Sequence, residues 1–318
     1  MILPVSISEN RNYTRGLSFK SSALLSDKTL PAYKKLEVNS ADYIKYIYQR
    51  LKRVCREVVE INVETDKLQD IVHSDEPRIF IMNHTKNQVK DINAAKFFNT
   101  LLYREYLYQS KAATCPRSRI LTNIGVLQKT KDKGEELKWM GAVPINAGLG
   151  AKDSKNENAL TLKHLTRGLI DGNINLFIFP EGALASLTFL PLRYKFQPGV
   201  SAIIKRILEE KEHIRVTPLG FAHNSKESAI HIGDDVVFSK TDGKYYSTRG
   251  NADSKYFDKN LHNLYGEKED IVITENGESV GTNKIVPFIS GILMKNLECC
   301  TKEAKQDLKN SKGEIFKL

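Results

Sequence analysis

Apolar runs of four or five residues alternate along this chain with longer stretches in which apolar residues return every third or fourth position. The runs predict buried strands and the longer spacing predicts amphipathic helices. Over 40–60, Ile44, Ile47, Leu51, Val54 and Val58 share one helical face, with Ser40 placed to cap it and Lys45, Arg50, Lys52, Arg53 and Arg56 opposite. A strand is predicted over 78–82, then a helix from about 91 to 108 with Ile92, Ala95, Phe98, Leu102 and Tyr106 inward. Residues 110–135 are mixed, with Pro116 and Gly125 as breakers and a solvated charge run over 129–136. A short strand over 141–145 precedes a helix over about 156–171, striped by Leu162, Leu165 and Leu169 and stopped by Gly172. Strand 175–179 follows, then a helix opened by Pro198 and running to about 211, then strand 214–221.

Strand and helix in alternation predict an α/β fold, a mixed and mostly parallel sheet flanked by helices, preceded by an N-terminal helical segment. Three parts are expected: 1–72, a lead-in and amphipathic helix; 73–240, the α/β domain; and 241–318, a polar extension ending in a helix. The extension is rich in glycine (Gly243, Gly250, Gly266, Gly277, Gly281), which predicts loops and an edge hairpin. Its final helix starts near 287 and carries Ile292, Leu293 and Leu297.

At 318 residues and 41% hydrophobic content, the chain can bury a sizeable core. No apolar run approaches the ~18–20 residues that span a bilayer. The opening Met1-Ile2-Leu3-Pro4-Val5 is too short for the apolar part of a signal peptide, so a cytoplasmic protein is expected. Cys55, Cys115, Cys299 and Cys300 form no Cys-x-x-Cys pair and are expected to be reduced. The net charge of +10 favours anionic partners: nucleic acid, lipid head groups or an acidic carrier protein. The lysines are spread rather than blocked, and zinc-ligand spacing, a Gly-rich phosphate loop and aromatic-basic interleaving are all missing. An anionic membrane surface therefore fits better than nucleic acid. The basic 40–60 helix suits such a surface, or is a core helix with a solvated face. No Gly-x-Ser-x-Gly elbow marks a serine hydrolase.

The candidate chemistry lies where the predicted strands stop, the place where open α/β sheets bind ligands. The run 78–82 ends in Asn83-His84-Thr85, with Asp91 seven positions after the histidine. A carboxylate in the first turn of the next helix can hold one ring nitrogen and leave the other as a base. About a hundred residues later, a second strand delivers Phe179-Pro180-Glu181-Gly182. Glu181 is either held rigidly at the strand mouth or caps the next element, with Gly182 supplying a positive φ. His73, His164, His213, His223, His231 and His262 have no partner at metal-ligand spacing and are expected to be structural or exposed. His223 falls at the rim of the strand expected to end at Phe221.

These blocks, with Val216-Thr217-Pro218 after them, resemble the glycerolipid acyltransferase superfamily (PlsC-type, lysophosphatidate acyltransferase) over about residues 75–235. The resemblance implies an O-acyltransferase that moves a fatty acyl group from an acyl-carrier-protein or coenzyme A thioester to the hydroxyl of a lysophospholipid-like acceptor. It implies His84 as general base and Asp91 as its orienting partner. Asn83, Thr85, Phe179, Pro180, Glu181 and Gly182 would line the acceptor site, and Lys195 would meet a phosphate. No metal and no cofactor are implied, and the protein would be peripheral to an anionic membrane.

Three departures stand out. The family usually places its aspartate five residues after the histidine, and here position 89 is Val89. The Gly-x-x-x-x-x-Arg block reads Gly141 to Ala147, without the arginine, and Ala183-Leu184 stands where Thr-Arg is common. Losing charge-assisted bonds worth ~1.5–3 kcal/mol each predicts an acceptor other than plain lysophosphatidate, unless Arg117, Arg119 or Lys195 substitutes. A second reading stays open, a non-catalytic lipid-binding or scaffold relative of the same fold.

Overall fold

The computed structural model describes residues 48, 61–63, 65–74, 76–85, 87–123, 126–127, 137, 140–145, 152–181, 199–225, 227–241, 244–248, 272–273, 279–280, 285–310 and 315–316. The 1–39 lead-in lies outside them, as does the 40–60 helix apart from Tyr48. The chain runs β1 (Ile61–Val63), α1 (Thr65–His73), β2 (Arg78–Met82), α2 (Gln88–Tyr108), β3 (Arg117–Asn123) and β4 (Ala142–Ile145). Next come α3 (Lys152–Ile170), β5 (Ile174–Ile178), α4 (Gly199–Ile207), β6 (His213–His223), β7 (Ser228–Ile232), β8 (Val236–Thr241) and β9 (Lys244–Ser247). The short β10 (Val272–Ile273) and β11 (Ser279–Val280), the long α5 (Ile285–Asn310) and β12 (Ile315–Phe316) complete the described chain.

The fold is α/β, with a mixed, mostly parallel sheet flanked by helices. Its main strand order is β11-β10-β9-β8-β6-β2-β5-β3-β4, with β7 on β6, and β1 between β7 and β12. The centre is parallel: β2 pairs with both β5 and β6, and β3 with both β5 and β4. Every residue of β2 and β5 is buried, because helices cover both faces. Such strands read as continuous apolar runs, which is why these two were visible in sequence.

Side-chain alternation sends the strands into two cores. Phe80 and Met82 of β2, Phe177 of β5, and Leu219 and Phe221 of β6 pack with α1 and α2. Ile79 and Ile81, Leu176 and Ile178, and Ile214 and Val216 pack on the other face with α3, α4 and α5. The final helix therefore shares its core with the α/β segment before it. It lies so close to β6 that a Cβ built on Gly220 would come 1.9 Å from the Cys300 carbonyl oxygen.

From β2 the chain leaves through α2 on one face and reaches β3, beyond β5. From β5 it leaves through α4 on the other face and reaches β6, beyond β2. Neighbouring strands whose connections depart in opposite directions open a crevice at their carboxyl ends. Among the described residues, no helix is long and apolar enough to cross a membrane.

Candidate functional site

His84 follows β2 and Glu181 follows β5, so both stand at that crevice. The chain turns out of β2 at Asn83, which is 2% exposed and ties the turn to β6. Its Oδ1 accepts from the Phe221 backbone N–H, and its Nδ2 donates to the Phe221 carbonyl at 3.0 Å. One side-chain amide thereby continues the β2–β6 pairing past the point where the backbone diverges. Asn83, expected at the acceptor, is a staple inside the protein.

Four residues later Asn87 caps α2. It has extended φ and ψ, and its Oδ1 accepts from the N–H groups of Val89 and Lys90 at 3.1 and 3.2 Å. The helix thus starts at Gln88, before the expected 91, and Asp91 is its fourth residue. There the carboxylate points back over the loop, at the helix end where negative charge is favoured. Asp91 is 1% exposed and fully engaged. Its Oδ2 lies 3.0 Å from His84 Nδ1, it accepts from the Thr85 N–H at 3.1 Å, and its Oδ1 accepts from the Thr85 hydroxyl at 2.6 Å. Seven positions apart in sequence, His84 and Asp91 meet because the helix starts at Gln88.

The imidazole is held in its plane by Phe179, stacked at 4.3 Å with 13° between the rings. Phe179 in turn meets Phe177 edge-on at 5.6 Å. The His84 side chain is 18% exposed, and Nε2 has no hydrogen-bond partner among the described residues. With Nδ1–H on the carboxylate, Nε2 is the ring nitrogen left to accept a proton.

Glu181 lies beneath, 7% exposed, with both oxygens accepting from the His84 backbone N–H at 3.1 and 3.2 Å. Burial pushes its carboxyl up to about 8, and the Asp91 charge pushes the same way, while backbone N–H donors pull against them. At neutral pH Glu181 mostly keeps its proton, leaving Asp91 as the carboxylate that answers the ring. Glu181, expected to bond acceptor hydroxyls, meets the histidine's own backbone N–H.

The other expected residues divide. Pro180 is buried next to Glu181. The Thr85 hydroxyl is spent on Asp91. Gly182 and Lys195 lie outside the described residues. Arg117 and Arg119 do not stand in for the missing arginine. Arg119 pairs with Leu176, itself level with Ile79, roughly 16 Å along the strand from His84. Its guanidinium donates to the Ser118 carbonyl instead, and Arg117 is two residues further from the crevice.

One residue at the site was set aside in sequence. β6 continues to His223, on the same face as Leu219 and Phe221, and His223 Nε2 lies 3.1 Å from the Thr85 hydroxyl. Carrying the alternation one step past Phe221 would have put this imidazole at the crevice, beside Thr85. His231 is structural, bridging Glu303 and Asp307 of α5. Among the described residues, no three His, Cys, Asp or Glu side chains gather as a metal site. The chain matches no protein-family model and no curated protein.

Proposed function

We propose that this protein is an acyltransferase. It moves a fatty acyl group from an acyl-carrier-protein or coenzyme A thioester to the hydroxyl of a lysophospholipid-like lipid acceptor. The observation that supports it is the His84 Nδ1–Asp91 Oδ2 contact at 3.0 Å, which leaves Nε2 without a partner among the described residues. His84 Nε2 takes the proton of the acceptor hydroxyl as its oxygen attacks the thioester carbonyl. The tetrahedral centre then collapses, the carbon–sulfur bond breaks, and the thiolate leaves with the proton from Nε2. Ester and free thiol are the products, and His84 returns neutral. Asp91 remains a carboxylate throughout and balances the imidazolium between the two transfers.

Without a cation at the end of the Gly141 block, the acceptor is a lysophospholipid with a larger head group or a non-phosphate lipid alcohol. The test is incubation of the full chain with long-chain acyl-coenzyme A or acyl-carrier protein and a panel of lysophospholipids, following ester and free thiol. His84→Ala is expected to slow transfer by about 10²–10⁴-fold. A rate that survives the substitution refutes the proposal.

A further inference from the structure

We infer that His223 is a positioning residue for the His84 base, acting through the Thr85 hydroxyl on Asp91. The inference rests on the acyltransferase reading of the same site. Thr85 Oγ1 lies 2.6 Å from Asp91 Oδ1, 3.1 Å from the Asn87 backbone nitrogen and 3.1 Å from His223 Nε2. A hydroxyl has one proton to give and two lone pairs to fill. The shortest contact, and the one to a carboxylate, takes the proton. The Asn87 N–H can only donate and fills one lone pair, so the second is filled by His223, whose Nε2 carries a hydrogen.

The chain of donors therefore has one direction: His223 Nε2–H to Thr85 Oγ1, Thr85 O–H to Asp91 Oδ1, and His84 Nδ1–H to Asp91 Oδ2. One carboxylate serves two imidazoles, one on each oxygen. The Asn224 carbonyl beside the far ring accepts from the Lys90 ammonium on the first turn of α2; His223 Nδ1 lies 3.4 Å from that carbonyl and, with the ring hydrogen on Nε2, donates nothing to it. Phe221 flanks the His223 ring at 5.7 Å. Three elements at the crevice are thus joined through side chains: the loop after β2, the start of α2 and the end of β6. Hydrogen bonds in a chain polarise one another, so the Nε2–H donor strengthens the hydroxyl's hold on Asp91. That hold keeps Oδ2 aimed at the catalytic ring.

The test uses the full chain with long-chain acyl-coenzyme A and a lysophospholipid, together with proton NMR of the imidazole N–H region. The low-field resonance that disappears in His84→Gln is His84 Nδ1–H. His223→Leu is expected to lower kcat about tenfold, with KM within about twofold, and to move or broaden that resonance. His223→Gln, whose side-chain N–H can reach Thr85, is expected to recover most of both losses. Thr85→Val should match His223→Leu, and the double variant should be no worse than either, because the two act through one path. An unmoved resonance with unchanged kcat in folded His223→Leu overturns the inference. Equal losses with Gln and Leu, or additive losses in the double variant, also overturn it. The two readings part cleanly. If wild type transfers no acyl group but the resonance moves, the relay stands and the reaction falls. If transfer depends on His84 while the resonance ignores His223, the relay falls and the reaction stands.

Discussion

Glu181 is a carboxyl almost out of reach of water, and its proton belongs to the folded state. Its value of about 8, against 4.5 for the ordinary side chain, is caused first by burial. The folded chain therefore binds a proton between those values that the unfolded chain releases. Stability from this group is complete below about pH 4.5 and is lost as pH rises through 8. Glu181→Gln copies the protonated shape without the titration. Denaturant unfolding at pH 5, 6.5 and 8 should show wild type losing ground to the variant as pH rises, by between about one and two kcal/mol per unit. Parallel stability profiles would contradict a buried neutral carboxyl. The same residue scale explains why Asn83 and Thr85 were read as acceptor contacts. A polar side chain beside a candidate base looks available in sequence, and only coordinates reveal that Phe221 and Asp91 already occupy it.

Elements buried on both sides announced themselves, and elements that depend on a partner did not. The apolar runs of β2 and β5 and the stripe of α3 marked those elements, and Gly172, at φ 76°, ends α3 as expected. The strand β3 was missed because its sequence, Arg117-Ser118-Arg119-Ile120-Leu121-Thr122-Asn123, has no simple period. Two arginines and a serine form a strand there because β5 pairs with Arg117–Ile120, and β4 then takes up Ile120–Asn123 on the other side. The β7 strand and the β8–β9 hairpin likewise owe their form to β6 and to each other. Helix α5 depends on a glycine it does not contain. At Gly220 the helix backbone touches the sheet, and Gly220→Ala must push α5 away or distort β6. A loss of about 1–3 kcal/mol is expected, read as a lower Tm. An unchanged Tm would mean that the helix does not sit against that strand in solution.

Across the whole molecule, the two ends of the sheet have different jobs. At the amino end, Arg78 is 1% exposed and locked to Asp235 at 3.0 Å, to Thr217 and to the Ile71 carbonyl. At the carboxyl end, the His84–Asp91 pair stands between two crossovers. The excess of ten positive charges is a property of the full chain and favours anionic partners. Binding to vesicles containing anionic phospholipid is expected to fall steeply between low and high salt, with little binding to neutral vesicles. Equal binding to both in a sedimentation assay would remove charge as the recruiting force. By fixing the helix start at Gln88, the Asn87 cap also fixes the side of α2 on which Asp91 lies, and one residue added between Asn87 and Asp91 would turn that carboxylate roughly 100° about the helix axis, away from His84.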